Sequence, residues 1–123
     1  GTSAATAGNY GVFFIAPFPC EVFSVREVHE NAGADAGAVT LDIEKLTGTQ
    51  ALDGGVSVLS STINLKGTAN TVSTGTLTGT RANRLLALNN RLALKDSGTL
   101  TAVAGVCVII EIAPAYSVID RKT

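Results

Sequence analysis

Residues 90–112 read NRLALKDSGTLTAVAGVCVIIEI, and this stretch decides the fold class of the chain. It contains two apolar-rich segments separated by a Ser97-Gly98 turn signal, and the second segment includes a dense aliphatic run at residues 106–110. Alternating apolar positions on either side of a turn signal are typical of paired β-strands. The pattern therefore predicts a β-hairpin that packs against a second layer.

The second segment, residues 100–112, is apolar on both of its faces. Val103, Cys107 and Ile109 lie on one face. The other face carries a continuous apolar row: Leu100, Ala102, Ala104, Val106, Val108, Ile110 and Ile112. A strand with two apolar faces either lies centrally in a sheet or turns its outer face toward another chain. The sequence leaves both interpretations open.

Strand-like patterns also occur through the rest of the chain. They cover residues 10–16, 20–30, 39–45, 70–78 and 91–96. The irregular alternation within residues 20–30 indicates a β-bulge near Arg26. Residues 50–65 are ambiguous and are expected to be irregular, with one helical turn.

The count and spacing of these segments predict seven or eight strands. Glycine is frequent, with 13 residues, whereas proline occurs only three times. That composition suits short strands with tight turns. The predicted fold is therefore an all-β, single-domain, antiparallel β-sandwich that is jelly-roll-like.

A chain of 123 residues has the size of one domain. Residues 1–9 are small and polar and are expected to form a flexible N-terminal arm that orders on a partner or stays disordered. Residues 10–114 are expected to form the sandwich, and residues 115–123 an exposed C-terminal tail.

The composition argues against several classes of partner. Net charge is −1 and the Lys and Arg residues are scattered, so no basic stripe indicates nucleic-acid binding. No apolar run reaches the length of a membrane-spanning helix. Only 15% of residues are charged, while 46% are hydrophobic, which suggests that copies or a partner cover part of the surface in use.

The chain offers few residues for chemistry. His29 is the only histidine, and Glu27 lies on the same strand face, but structural metal sites usually need three or four ligands. Asp42 and Glu44 share a face without the aromatic platforms of a saccharide-cleaving cleft. We therefore expect no catalytic, cofactor or metal site and no enzyme activity, with a small hydrolase as the enzymatic alternative.

Two other groups have a structural and a functional interpretation. Cys20 and Cys107 are expected to be buried, and whether they form a disulfide stays open. Arg81, Arg84 and Arg91 flank asparagine turns, where a solvated face is the simplest reading. Salt bridges between subunits are the functional alternative, since Arg suits interface ion pairs.

Three segments resemble small virion proteins encoded by tailed phages. They are residues 21–52 (EVFSVREVHENAGADAGAVTLDIEKLTGTQAL), residues 63–77 (INLKGTANTVSTGTL) and residues 90–112. Together they cover most of the chain, and their motifs are structural. Where members of this group tend to have Gly-Asp before Arg-Leu, this chain has Asn89-Asn90, which is also a turn-forming pair.

The resemblance implies a β-sandwich or jelly-roll protein on the outside of a phage head, made in the host cytoplasm. Such proteins decorate or cement the capsid, often as trimers at local threefold positions. The expected partners are therefore the major capsid protein and further copies of this chain. The residues expected at subunit or capsid contacts are Tyr10, Phe13, Val103, Cys107 and Ile109.

One binding alternative stays open beside the capsid hypothesis. A fibre or tail domain would hold a host receptor or glycan with exposed loops, for which residues 31–37 and 83–90 are the candidates. The shortage of aromatic residues outside the first strand counts against a glycan site.

Overall fold

The computed structural model describes residues 11–115, which form two antiparallel β-sheets packed against each other. This confirms the predicted all-β sandwich, and the jelly-roll arrangement stays a prediction. Tyr10 and the arm at residues 1–9 lie outside the described residues, as do residues 116–123 of the tail.

The described residues form one helical turn and nine strands rather than the predicted seven or eight, because four of the strands are only two residues long. In chain order they are β1 (Gly11–Ile15), β2 (Cys20–Val28), β3 (Thr40–Leu46), β4 (Val56–Ser57), β5 (Ile63–Asn64), β6 (Ser73–Thr74), α1 (Arg81–Arg84), β7 (Leu85–Leu86), β8 (Arg91–Ser97) and β9 (Cys107–Pro114).

The wide sheet has β3 and β8 at its centre. β1 pairs with the outer edge of β8, while β4 and β5 pair with the far edge of β3. The narrow sheet is built around β2. β9 pairs with one edge of β2 along its whole length, and the short strands β6 and β7 pair with the other edge.

The core lies between the two sheets and is aliphatic. Alternation along β3, and along β2 on either side of its bulge, turns every second side chain inward, as the period of a strand requires. The fully buried members include Val22, Val25, Leu41, Ile43 and Leu92.

The predicted hairpin at residues 90–112 is wrong. β8 belongs to the wide sheet and β9 to the narrow sheet, so residues 98–106 cross between the layers. Gly98 (φ +92°) and Ala102 (φ +70°) adopt left-handed backbone that bends the chain away from β8. The last strand is therefore shorter than predicted and begins only at Cys107.

Two local predictions also need correction. The bulge in β2 lies between Val22 and Ser24 rather than near Arg26. The helical turn is α1, not part of residues 50–65, which supply β4 and β5. Lys45 holds this turn by donating hydrogen bonds to the carbonyl oxygens of Ala82 (2.7 Å) and Leu85 (3.0 Å), and burial lowers its pKa.

Backbone bonds close one side of the sandwich. The Ser60 amide donates to the Thr76 carbonyl at 2.8 Å, and the Thr78 amide donates to the Val58 carbonyl at 2.9 Å. These bonds join the segment after β4 to the segment after β6. We call this the closed side.

The opposite side is formed by β1 and β9. Arg26 of β2 pairs with Thr74 of β6 on one edge and with Ile109 of β9 on the other, so β6 and β9 flank β2. In the wide sheet β1 is likewise at the far edge from β4 and β5. We call the side that carries β1 and β9 the open side.

Candidate functional site

The outer face of β9 carries two of the residues predicted to make contacts. Cys107 is exposed and Ile109 is 52% exposed, because their inward neighbours along the strand face the core instead. In the β2–β9 register Ile109 is opposite Arg26 and Cys107 is opposite Val28. With Val72 these four residues line a shallow pocket of about 160 Å³.

The charges on this outer face neutralise each other. Arg26 Nη2 lies 3.1 Å from Glu111 Oε1, and both side chains are exposed. The Arg26 Nε atom is buried and has no hydrogen-bond partner among the described residues. The face is therefore apolar with one balanced ion pair.

The other predicted contact residues are in different places. Phe13 is exposed at 38% on β1 in the wide sheet, so it is not on the same face as Ile109. Val103 is buried in the core, and its assignment to the outer face is wrong. Strand alternation does not extend back to Val103, because residues 98–106 cross between the sheets. Tyr10 lies outside the described residues.

Sequence reasoning missed other exposed apolar residues near β9. Phe23 is 56% exposed at the β2 bulge, beside the Ser24–Glu111 pair. Val72 is 63% exposed and lines the pocket with Ile109. The bulge inserts one residue into the strand, so simple alternation across residues 20–30 could not assign Phe23 to a face.

Both strands of the open side have an edge that pairs with no other strand among residues 11–115. β9 pairs only with β2, and β1 pairs only with β8. Soluble proteins usually protect such edges with charge or proline, because free amides and carbonyls recruit further strands. β1, with the sequence GVFFI, has no charged residue, and β9 has only Glu111 before Pro114 ends it.

A buried polar network lies under the other end of β2. His29 Nδ1 is 2.9 Å from Glu27 Oε1, and Nε2 is 3.0 Å from the Gly67 carbonyl oxygen. His29 is 2% exposed and Glu27 is 1% exposed. The Asn70 amide donates to the His29 carbonyl at 2.8 Å, so His29 holds residues 67–70 from both its ring and its backbone.

The partners of the imidazole determine its charge. A carbonyl oxygen and an ionised carboxylate can only accept hydrogen bonds, so His29 donates from both ring nitrogens when Glu27 is ionised. Burial opposes the positive charge, but the bond to Gly67 and the bond and attraction to Glu27 outweigh it and raise the pKa of His29. Glu27 and His29 therefore form a structural pair in which both ring nitrogens have partners, and the pair is ionic while the imidazole is protonated.

A polar cleft of about 290 Å³ opens beside His29. The side chains that line it include seven hydroxyl groups and one amide: Ser61, Thr62, Asn64, Thr68, Thr71, Ser73, Thr74 and Thr76. No Phe, Tyr or Trp side chain is among the described lining residues, and His29 is the one ionisable side chain among them. The cleft is thus a hydrogen-bonding surface whose single imidazole is paired with Glu27.

The paired carboxylates on β3 hold neighbouring loops. Glu44 is buried and accepts hydrogen bonds from the amides of Asp53 and Gly55. Asp42 accepts hydrogen bonds from the Ser57 hydroxyl and the Ile43 amide. These contacts fix the loop before β4 and account for both carboxylates structurally.

The predicted arginine group makes contacts within the chain. Arg81 and Arg84 both pair with Glu21, at 3.0 and 2.9 Å. Arg91 donates to the carbonyl oxygens of Gly48 (3.0 Å) and Gln50 (2.9 Å). These residues brace α1 and the turn after β3.

The two cysteines are free and differ in environment. Cys20 is buried, and burial raises the pKa of its thiol. Cys107 is exposed, so its predicted burial is wrong. In the β2–β9 ladder Cys20 is opposite Pro114 and Cys107 is opposite Val28, which places the thiols at opposite ends.

Within residues 11–115, no three His, Cys, Asp or Glu side chains are grouped to hold a metal ion. No helix of the described part is long and apolar enough to span a membrane. Comparison with family models, curated proteins and solved structures found no match for this chain.

Proposed function

We propose that this chain is a structural, non-enzymatic virion protein that decorates the outside of a tailed-phage capsid. It binds the major capsid protein as a homo-oligomer, with a trimer favoured, and stabilises the shell mechanically. The motifs quoted above carry the phage assignment, and the surface of the open side supports the self-association.

The open side is the observation that carries the proposal. Exposed apolar side chains and free strand edges occur there together, on β1 and β9. Val12 and Ile15 are exposed on the outer face of the wide sheet, and Cys107 and Ile109 on the outer face of the narrow sheet, so exposed apolar residues flank the open side on both faces. Burying such side chains contributes roughly 25 cal/mol per Å² of apolar surface removed from water. A soluble domain with few charges is stabilised when a neighbour covers this side.

Decoration suits a surface of this kind. Each contact is small, but an oligomer that touches several capsid subunits at once gains avidity from the linkage of its sites. Such a protein resists outward pressure on the shell without any chemical step. The buried side chains of His29, Glu44 and Glu21 all make structural contacts within the chain, which is consistent with that role.

Replacing Ile109 with Asp is expected to weaken self-association of the full chain at least about tenfold, or roughly 1.4 kcal/mol. The substitution places a charge in the apolar face while leaving the core untouched, since Ile109 points outward. Sedimentation velocity over a concentration series measures the effect. Val56→Asp is the matched control, because Val56 is an exposed apolar residue on β4 at the closed side.

A wild-type chain that stays monomeric at several hundred micromolar protein would contradict self-association. Equal weakening by Val56→Asp would show that added charge, rather than the open side, causes the effect.

A receptor- or glycan-binding fibre domain is the second candidate, and the hydroxyl-lined cleft favours it. The cleft near His29 offers many hydrogen-bonding groups in one concave surface. It lacks the aromatic face on which a sugar ring would stack. Binding of the wild-type chain to a glycan array, lost in Asn64→Ala, would support this candidate over decoration.

A further inference from the structure

The two sheets differ in width on the open side. Counted from the closed side, the wide sheet has four strand positions: β4 with β5, then β3, β8 and β1. The narrow sheet has three, which are β6 with β7, then β2 and β9. Counted from the closed side in this way, β9 corresponds to β8, and β1 has no counterpart in the narrow sheet.

Burial of the inner face follows this difference. Val25 and Ile43, on the central strands β2 and β3, are completely buried. Leu92 of β8 is the fully buried exception among several inward residues of β1, β8 and β9 that are only partly buried, although they pack against the same core: Phe14, Leu94, Val108, Ile110 and Ile112. One further strand beside β9 would cover these side chains and pair with the free edge of β9.

We propose that residues 1–9 of a neighbouring copy add as this fourth strand of the narrow sheet. The inference rests on the self-association proposed above and names its structural basis. In that oligomer the copies meet at their open sides, where β1 lies. The segment that precedes β1 in one copy therefore starts next to β9 of another.

The space fits a single strand better than a second sandwich. If β9 of another copy paired with β9 directly, the protruding β1 strands of the two wide sheets would compete for the same space. A lone segment has no such layer attached. Residues 1–9 can extend about 30 Å, which matches the roughly 26 Å of the eight-residue β9.

Composition favours the N-terminal segment over the C-terminal one. Residues 1–9 read GTSAATAGN and contain no charge and no proline. Residues 116–123 read YSVIDRKT and contain three charged residues in succession. A strand that covers Phe14 and Ile110 must be free of charge on its inward face, because an unpaired buried charge is strongly unfavourable.

The direction of pairing follows from the chain ends. The Ala16 amide donates to Asn90 and the Ala115 amide donates to Pro19, so β1 and β9 both run toward the end where β2 begins. In a ring of copies whose axis is parallel to the strands, residues 1–9 would enter from the start of β9 and run antiparallel to it. Side chains at alternate positions would then lie near Cys107 on the outer face.

Disulfide trapping in the full chain tests this arrangement. Cross-strand neighbours in antiparallel sheets come within the Cα separation that a disulfide needs. Cys107 supplies an exposed thiol, whereas Cys20 is buried and does not compete. One residue at a time is changed to Cys and the protein is oxidised, and non-reducing electrophoresis with mass spectrometry measures covalent dimers together with the larger species that complete linkage around a ring gives: Ala4→Cys, Ala5→Cys, Thr6→Cys and Ala7→Cys.

We expect dimer yields to alternate along the four positions, several-fold higher at every second residue, and to vanish when Cys107→Ser is added. Three outcomes would overturn the pairing of residues 1–9 with β9 of another copy. They are a disulfide within one copy, equal yields at all four positions, and no covalent dimer from a chain that self-associates. Those outcomes leave the proposed function standing if Ile109→Asp still weakens self-association. A monomeric wild type would instead contradict the proposed function.

Discussion

Replacing His29 with Leu is expected to lower the free energy of unfolding by about 3–5 kcal/mol. The substitution leaves the Glu27 carboxylate buried without its principal partner, since Ser73 Oγ lies at a longer 3.4 Å from Oε2. It also removes the donor to Gly67, which anchors residues 67–70 to the end of β2. Chemical denaturation measures the loss.

A double-mutant cycle separates the pair from simple packing. The double variant Glu27→Leu, His29→Leu should lose less free energy of unfolding than the two single variants lose together, because no uncompensated charge stays buried in it. Glu111→Gln is the matched control. It breaks an exposed pair with Arg26 and should cost no more than about 1 kcal/mol. Strictly additive effects at Glu27 and His29 would contradict the ion-pair interpretation.

The same pair gives the stability a pH dependence. The pKa of His29 is raised in the folded chain, so the folded state holds a proton that the unfolded state releases near its ordinary value of about 6.5. The stabilisation that the protonated His29 gives the folded state is complete below the unfolded-state pKa. It is lost as pH rises through the raised pKa of the folded state. Denaturation midpoints between pH 6 and pH 9 should therefore decline, and His29→Gln should flatten this decline.

Replacing Gly98 with Ala is expected to lower the free energy of unfolding by about 2–5 kcal/mol. The loss combines the strain of a side chain on left-handed backbone with overpacking. Gly98 has φ +92°, and a Cβ there would lie 2.0 Å from the Ala38 carbonyl oxygen. That oxygen belongs to the backbone leading into β3, so it cannot move without disturbing the Thr40–Ser97 pairing. The substitution affects the point where the chain leaves the wide sheet for the narrow one.

Gly48→Ala provides the control for Gly98. Gly48 also has positive φ, +54°, but a Cβ there would meet no atom within 4 Å. Gly48→Ala should therefore lower the free energy of unfolding by only the backbone strain, about 1–2 kcal/mol. Thermal and denaturant unfolding of both variants measure the difference, and equal losses would show that the close approach to Ala38 is unimportant.

Much of the sandwich could be predicted from alternation alone. β3 and β8 show a clear period of two, and the structure places their apolar side chains in the core as expected. The prediction of a hairpin at residues 90–112 was wrong because an apolar pattern does not specify which sheet a strand joins. That choice depends on the left-handed backbone at Gly98 and Ala102, and Ala102 gives no sequence signal for it.

The candidate surface was predictable in part. Alternation along β9 separates Cys107 and Ile109 from the inward row, although Cys107 itself was expected to be buried, whereas Val103 precedes the strand and turns into the core. Phe23 escaped prediction because the bulge shifts the register of β2. Val72 escaped because its exposure depends on how residues 67–73 fold back toward His29, which is a long-range contact.

Co-sedimentation of the purified full chain with empty heads, assembled from the major capsid protein of the tailed phage proposed to encode it, tests the central claim most directly. We expect saturable binding that reaches a fixed number of copies per head, because decoration requires equivalent sites on the shell. A chain that stays in the supernatant at every protein concentration would contradict the account.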